Sequence, residues 1–198
     1  MAGPSVVGTR FIFNNDTKAL NVKIINDGES DYLIKTSINS DAFIISPPLF
    51  LLPTNESNLI TIIPNEINKQ DIDQLFDLVI TAIPRSEKNV NDNTVSLAVR
   101  SHFKLIYRHG KYQDEDFKKI ELTSDEKGNY WLKNRSGTIF DLSFSTDEYF
   151  NKSRRKILSY NEVLPVKDCN PKLVCKLWIN VHDGDDSVIK TFKLFKNK

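Results

Sequence analysis

The chain has 198 residues, of which 39% are hydrophobic and 27% are charged, and its formal net charge is +1. This is an ordinary globular composition, and the length suits one large domain or two small ones. A net charge this close to zero creates no general field for nucleic acid or an anionic membrane, so any electrostatic function must be local.

Short apolar runs, separated by Asn, Asp, Pro and Gly, recur along the whole chain. In chain order the runs are 11–13, 20–25, 32–38, 43–45, 59–63, 75–83, 94–108, 117–122, 129–133, 139–144, 174–181 and 188–195. Many short strands with turn residues between them predict an all-β sandwich or barrel. Two other segments carry weaker helical signals. We interpret 65–76 as a helical turn in a connection, and 147–156 as either a helix or a charged loop.

The run 94–108, TVSLAVRSHFKLIYR, is unusually long for a strand. Its odd positions are mostly apolar, from Val95 to Tyr107, while cations such as Arg100 and Lys104 occupy even positions. Such alternation predicts a half-buried strand, because successive side chains point to opposite faces. Natural strands usually have about five or six residues. One interpretation is an edge strand that carries charge against aggregation.

A domain boundary is expected directly after this strand. Residues 109–117, HGKYQDEDF, are polar and include Gly110. We therefore predict two domains, 1–110 and 111–198, each near the size of one immunoglobulin-like sandwich. Two sandwiches fit the strand pattern better than a single barrel.

The cellular compartment stays open at this point. Residues 1–10 lack the basic start and apolar core of a signal peptide, but a removed leader and a cytosolic start would look the same. No apolar run approaches the roughly 18 residues of a membrane span, so no membrane insertion is predicted. Cys169 and Cys175 flank an Asn-Pro turn signal, and we weigh a disulfide against two reduced thiols.

Signatures of catalysis and of cofactor binding are scarce. The chain has three histidines and lacks a G-x-S-x-G elbow, a glycine-rich phosphate loop and an H-E-x-x-H motif. We predict no enzyme activity, no cofactor and no metal site, since two thiols without paired histidines do not make one. Aromatic and basic residues in 100–108 suit stacking on single-stranded nucleic acid, but the near-zero net charge argues against that partner.

Five segments, in the right order, resemble the motifs of PapD-like periplasmic pilus chaperones. FKLIYR at 103–108 resembles the family's IKLFYR hallmark, and GTRFIF at 8–13 resembles the opening of its first strand. SPPLFLLP at 46–53 and IPRSEK at 83–88 are similar to its T-P-P-x-x-x-L-x-P and I-P-P-x-x-E-K elements. WINVHDG at 178–184 is an imperfect W-x-x-I-N-D-Y-G.

The resemblance implies two immunoglobulin-like domains arranged in an L, in a protein of the bacterial periplasm. It implies a chaperone that caps pilus or fimbrial subunits, helps them fold and delivers them to an outer-membrane usher. The mode would be donor-strand complementation, a form of β-strand addition. A free donor strand is a sticky edge, so a self-capping homodimer is a further expectation. The alternative function is an adhesive or structural immunoglobulin-like surface protein without chaperone activity.

The resemblance also assigns the residues that would bind the subunit. Val95, Leu97 and Val99 match the alternating apolar motif of the donor strand; the alternative is that they pack in this domain's own core. Arg10 and Lys104 match the two cations that hold the subunit's C-terminal carboxylate; the alternative is solvated surface charge. Fixing that carboxylate would fix the register of the added strand.

A second set of charges is implied to connect the two domains. The matching residues are Asp73, Arg108 and Asp183, of which Asp73 rests on a gapped match. His182 and Gly184 depart from the family's asparagine and tyrosine beside the aspartate. The loop Arg85–Thr94 lies between the lengths expected of the short-loop and long-loop subclasses, and it leans toward an atypical fibrillar system.

Overall fold

A computed structural model describes residues 3–65, 72–85, 97–169 and 174–196 of the chain. Within them the protein has sixteen strands and one five-residue helix, so the all-β prediction is confirmed. Two compact units are present: Met1–Lys69 with Leu75–Tyr107, and Gln70–Gln74 with Arg108–Lys198. In the described part of the chain, no helix is long and apolar enough to cross a membrane.

The first unit is a sandwich of two sheets. Its strands are β1 (Ser5–Val6), β2 (Arg10–Asn14), β3 (Leu20–Ile25), β4 (Tyr32–Ile38), β5 (Phe43–Ser46), β6 (Leu49–Leu52), β7 (Ser57–Pro64), β8 (Gln74–Pro84) and β9 (Val99–Arg108). One sheet has the order β1-β3-β7-β5, and the other has the order β2-β9-β8-β4-β6.

Alternating burial explains why these segments form strands. In β3, Val22 and Ile24 are buried while Asn21 and Lys23 face solvent, which is the pattern of a sheet with one covered face. The inward residues of both sheets form one core. Asn26, which is fully buried after β3, donates through Nδ2 to the carbonyl oxygens of Ser30, Leu52 and Pro53 at 2.9–3.2 Å. This single side chain therefore joins two loops of the first unit.

The second unit repeats the sandwich architecture. Its elements are α1 (Asp114–Lys118), β10 (Ile120–Ser124), β11 (Tyr130–Asn134), β12 (Phe140–Ser145), β13 (Arg154–Leu158), β14 (Val163–Val166), β15 (Cys175–His182) and β16 (Val188–Lys196). The sheets have the orders β10-β11-β14 and β13-β12-β15-β16, with an apolar core that includes Leu142 and Ile179. Cys169 and Cys175 form a disulfide, so the reduced alternative does not hold.

Several sequence-based expectations need correction. The described strand in 94–108 begins at Val99, while residues 94–96 lie outside the described part. Alternation of apolar side chains predicts a longer strand, because it does not show where the backbone hydrogen-bond partners end. The helical alternative for 147–156 is wrong: turns lead into β13, where Arg155 pairs with Asp141 across the sheet. The proposed helical turn at 65–76 falls largely on residues 66–71, outside the described part.

A helix that was not predicted, α1, begins within the polar segment 109–117 and ends at Lys118. Asp114, Glu115 and Asp116 occupy the first turn of α1, and Lys118 lies in its last turn. This order of charges favours a helix, because the helix N-terminus is electropositive and its C-terminus is electronegative. The division of the chain into units falls between Tyr107 and Arg108, a few residues before the position expected from the sequence.

Candidate functional site

Strand β9 lies between β2 and β8, so it is not an edge strand along its whole length. However, β2 has five residues and β9 has ten. The rings of Phe11 and Phe103 lie 6.1 Å apart, and those of Phe13 and Tyr107 lie 6.3 Å apart. These contacts place β2 beside residues 103–107 of β9. In the described chain, the first residues of β9 therefore have a strand on one side only.

One face of β9 changes from buried to exposed along its length. Leu105 is 0% exposed and Tyr107 is also in the core. Val99, on the same face, is 53% exposed, and Leu97, just before the strand, is 73% exposed. Val99 lines a small cavity of about 120 Å³ at the edge of the first unit. Val95, the remaining residue of the predicted donor motif, lies outside the described residues.

The other face of β9 carries Lys104, which forms an ion pair with Asp77 of the neighbouring strand β8. Lys104 Nζ lies 2.6 Å from Asp77 Oδ1. The two side chains are 43% and 36% exposed, so water reaches both. Sequence reasoning missed Asp77, although it is the one charged residue in the apolar run 75–83 and could have been noticed there.

Arg10 shares a face of the sheet with Lys104. Phe11 and Phe13 point into the core, so Arg10, the first residue of β2, is on the opposite face. Because β2 and β9 are adjacent, Arg10 and Lys104 stand on neighbouring strands of that face. Arg10 is half-buried, and its Nη1 donates to Thr9 Oγ1 at 3.2 Å. Two cations on adjacent strands can both donate to one carboxylate.

Asp73 and Arg108, at the other end of β9, form a buried cluster within the second unit. The Asp73 carboxylate accepts the backbone N–H of His109 at 2.8 Å and that of Ile139 at 2.9 Å. Arg108 Nε lies 3.9 Å from Asp73 Oδ2, and Arg108 Nη2 donates to the Ile139 carbonyl at 3.0 Å. The Arg108 guanidinium also stacks 3.9 Å from the ring centre of Tyr112. Sequence reasoning missed Tyr112 because no motif includes it.

Burial dominates the electrostatics of this cluster. It raises the pKa of Asp73 above 3.8, although the two N–H donors and Arg108 act in the opposite direction. Burial also raises the pKa of the Tyr112 hydroxyl. Asp183, the third predicted member of the network, is exposed, and its carboxylate accepts the N–H of Gly184 at 2.7 Å. Within the described residues, no ion pair joins Asp183 to Arg108.

Comparison with known proteins places the chain in a family. Residues 4–111 match the family model described as pili and flagellar-assembly chaperone, PapD N-terminal domain. The chain belongs to this chaperone family. It is 34% identical over 120 residues to the chaperone protein FimC of Escherichia coli. That alignment covers 56% of this chain and 50% of FimC, so the chain spans about half the length of this relative.

Solved structures of the same family show the same fold over nearly the full chain. The E. coli chaperone DraB matches with a TM-score of 0.74 at 19% identity, covering 96% of both chains. A chain of the Salmonella enterica complex between the SafA pilin and the SafB chaperone matches with a TM-score of 0.78 at 16% identity. That match covers 99% of this chain and 97% of the other. Chaperones of the family act by binding rather than by catalysis.

This chaperone-family chain has a second apolar surface, which we call the outer patch. It consists of Leu33, Leu51 and Ile83, on the same face as Lys104 but toward the β6 edge. Leu33 pairs directly with Leu51 of β6 and with Ile83 of β8, and all three side chains are exposed. Sequence reasoning missed the patch because it requires knowing which strands are neighbours. Among the described residues, no group of three His, Cys, Asp or Glu side chains is placed to hold a metal ion.

Proposed function

We propose that this protein is a periplasmic chaperone that caps strand-deficient pilus or fimbrial subunits by donating the segment 95–99 before and at the start of β9. The observation that carries the proposal is the exposure of Leu97 and Val99 on the face that otherwise packs the core. A large apolar side chain left mostly in water, next to an open strand edge, is a liability unless a partner covers it.

Strand addition accounts both for the exposed apolar side chains of the segment and for its open backbone edge. A subunit that lacks one strand has unpaired N–H and C=O groups beside an apolar groove. An extended segment with one open edge supplies main-chain hydrogen bonds, and its alternate side chains enter pockets of the groove. Burying a leucine completely contributes about 2 kcal/mol, so Leu97 alone offers a substantial gain on binding.

Arg10 and Lys104 would hold the subunit's C-terminal carboxylate. A carboxylate bound at a fixed position determines which residue of the donor segment faces which pocket. A slip by one residue would turn Leu97 and Val99 away from the groove. Support comes from their common face on adjacent strands.

Delivery to an outer-membrane usher needs a surface that remains free while a subunit is bound. The outer patch of Leu33, Leu51 and Ile83 supports this part of the proposal, because it lies on strands other than the donor segment. Without a subunit, a second copy of the chain would cover the donor segment as a self-capping dimer.

The test places a charge on the donor segment and, as a control, on a strand of the opposite sheet. The protein is co-expressed with the subunit genes that neighbour its own gene, and the complex is recovered through a tag on the chaperone. Leu97→Asp should lower the recovered complex at least tenfold, because a carboxylate cannot enter an apolar pocket without a partner. Leu59→Asp makes the same substitution at an exposed leucine of β7, in the other sheet of the first unit, and should retain the complex. Equal recovery from wild type and Leu97→Asp would contradict strand donation.

A further inference from the structure

We propose that Asp77 is a competing internal carboxylate of the subunit-binding site. It holds Lys104 in the unliganded chaperone and thereby weakens the capture of a subunit's C-terminal carboxylate. This inference rests on the proposed function, since it concerns the same cation. Asp77 thereby sets how strongly the anchor holds a carboxylate. A bound subunit terminus is correspondingly easier to release.

The position of Asp77 is fixed by the sheet. Phe76 and Leu78 pack in or against the core, so Asp77 points to the opposite face of β8, toward Lys104 on the adjacent strand. The Asp77 N–H donates to Asn39 Oδ1 at 2.8 Å, and the Asn39 N–H donates to the Asp77 carbonyl at 3.2 Å. These bonds hold the backbone beside Lys104, so the carboxylate is available whenever the ammonium is unoccupied.

The ion pair is placed to be displaced rather than to be permanent. Its side chains are 43% and 36% exposed, and such pairs contribute little net stability because water and salt screen them. A buried pair would be hard to separate, since each charge would be left without a partner in a low dielectric. An incoming carboxylate presents the same chemical group to Lys104 and can replace Asp77 at small cost.

Asp77 also changes the charge that an arriving carboxylate meets. Arg10 and Lys104 alone present two positive charges on neighbouring strands. With Asp77 Oδ1 2.6 Å from the ammonium, a negative charge stands directly beside that of Lys104. The arriving carboxylate is repelled by Asp77 at short range while it is attracted by the cations. Removing the Asp77 charge therefore strengthens the anchor instead of weakening it.

The experiment uses a synthetic peptide of alternating apolar residues in two forms, one with a free C-terminal carboxylate and one with a C-terminal amide. Both are titrated calorimetrically against the full chain. Asp77→Asn, which keeps the side-chain shape and the backbone bonds to Asn39, should bind the acid peptide about two- to fivefold more tightly than wild type. The amide peptide should show no gain. Asp77→Glu restores the charge and should return the affinity toward wild type.

Asp41→Asn is the matched control, because Asp41 is an exposed aspartate of the same unit and the net charge changes equally. It should leave both affinities unchanged, and the gain of Asp77→Asn should shrink as salt is raised. An acid peptide that binds Asp77→Asn no better than wild type overturns the role of Asp77.

Failure of the carboxylate anchor has a different signature. In that case wild type and Lys104→Ala bind the acid and amide peptides equally, whatever residue stands at 77. Absence of binding by both peptides to every variant would contradict strand capture itself, and the role of Asp77 with it. Thermal unfolding of each variant shows whether an altered affinity has come from a loss of fold.

Discussion

The two halves of the 97–107 segment have the same sequence pattern but opposite environments. In the C-terminal half, Leu105 is fully buried against the first unit's core. In the N-terminal half, Val99 continues the same face into water, and Leu97, just before the strand, is exposed as well. The difference lies in the neighbours, since β2 accompanies the strand only along its C-terminal half. Alternation tells which side chains share a face, but a covering layer decides whether that face is core or binding surface.

The largest expected effect is a difference in unfolding free energy between substitutions in the two halves of the segment. Leu105→Ala should lower the free energy of unfolding of the first unit by about 3 kcal/mol, because it removes buried methyl groups and leaves a cavity. Leu97→Ala should change it by less than about 0.5 kcal/mol, because the side chain is already exposed. Both tryptophans, Trp131 and Trp178, lie in the second unit, so tryptophan fluorescence would not report on the first. Amide hydrogen exchange of β9 is therefore the suitable measurement. A large loss with Leu97→Ala would mean that the segment packs its own domain.

The next effect concerns the end of β9, where the chain enters the second unit. Asp73→Ala should destabilise that unit by about 2 kcal/mol, since the buried N–H of Ile139 and the partly buried N–H of His109 lose their acceptor and Arg108 loses its counter-charge. Asp183→Ala is the control and should cost less than about 0.5 kcal/mol, because Asp183 is exposed. Tryptophan fluorescence during denaturant unfolding measures both. Equal losses would indicate that Asp183 contributes to the predicted network as much as Asp73 does.

The smallest effect is a pH dependence carried by Asp73. Burial raises its pKa in the folded protein above the ordinary 3.8, so the folded state binds a proton at a higher pH than the unfolded chain does. Its contribution to stability is therefore fully present below pH 3.8 and is lost as pH rises through the raised pKa. The stability of wild type relative to Asp73→Asn should increase on acidification from pH 7 toward pH 4. A relative stability that falls over this range would show that the ionised form is the better accommodated one.

Much of the fold could be predicted from local patterns. Runs such as 20–25 and 32–38 alternate in hydrophobicity and coincide with β3 and β4, because a half-covered sheet requires that alternation. Strand β13, RRKIL, was missed because its charges hide the pattern, and its Arg155 is accommodated only through Asp141 of the neighbouring strand. Helix α1 was missed because five residues give too little periodicity to detect.

The candidate site also contains residues that local sequence patterns predict and residues that they do not. Arg10, Lys104 and the odd face of residues 97–107 were identified from sequence, because ordered motifs and a period of two are local information. Asp77 and the outer patch were not, because each depends on which strands are adjacent. Sheet order brings β8 beside β9 and β6 beside β4, and no property of the individual segments specifies that order.

By itself, the sequence determined that this protein is all-β, that it belongs among the pilus-assembly chaperones by its motifs, and which side chains of the long strand share a face. Those properties follow from local geometry, since side-chain direction along a strand needs no knowledge of the partner. Tertiary structure decided where that face leaves the core, which acid meets Lys104, and that Asp73 rather than Asp183 joins Arg108. Those outcomes depend on packing between segments distant in sequence, which places groups in contact that no local pattern connects.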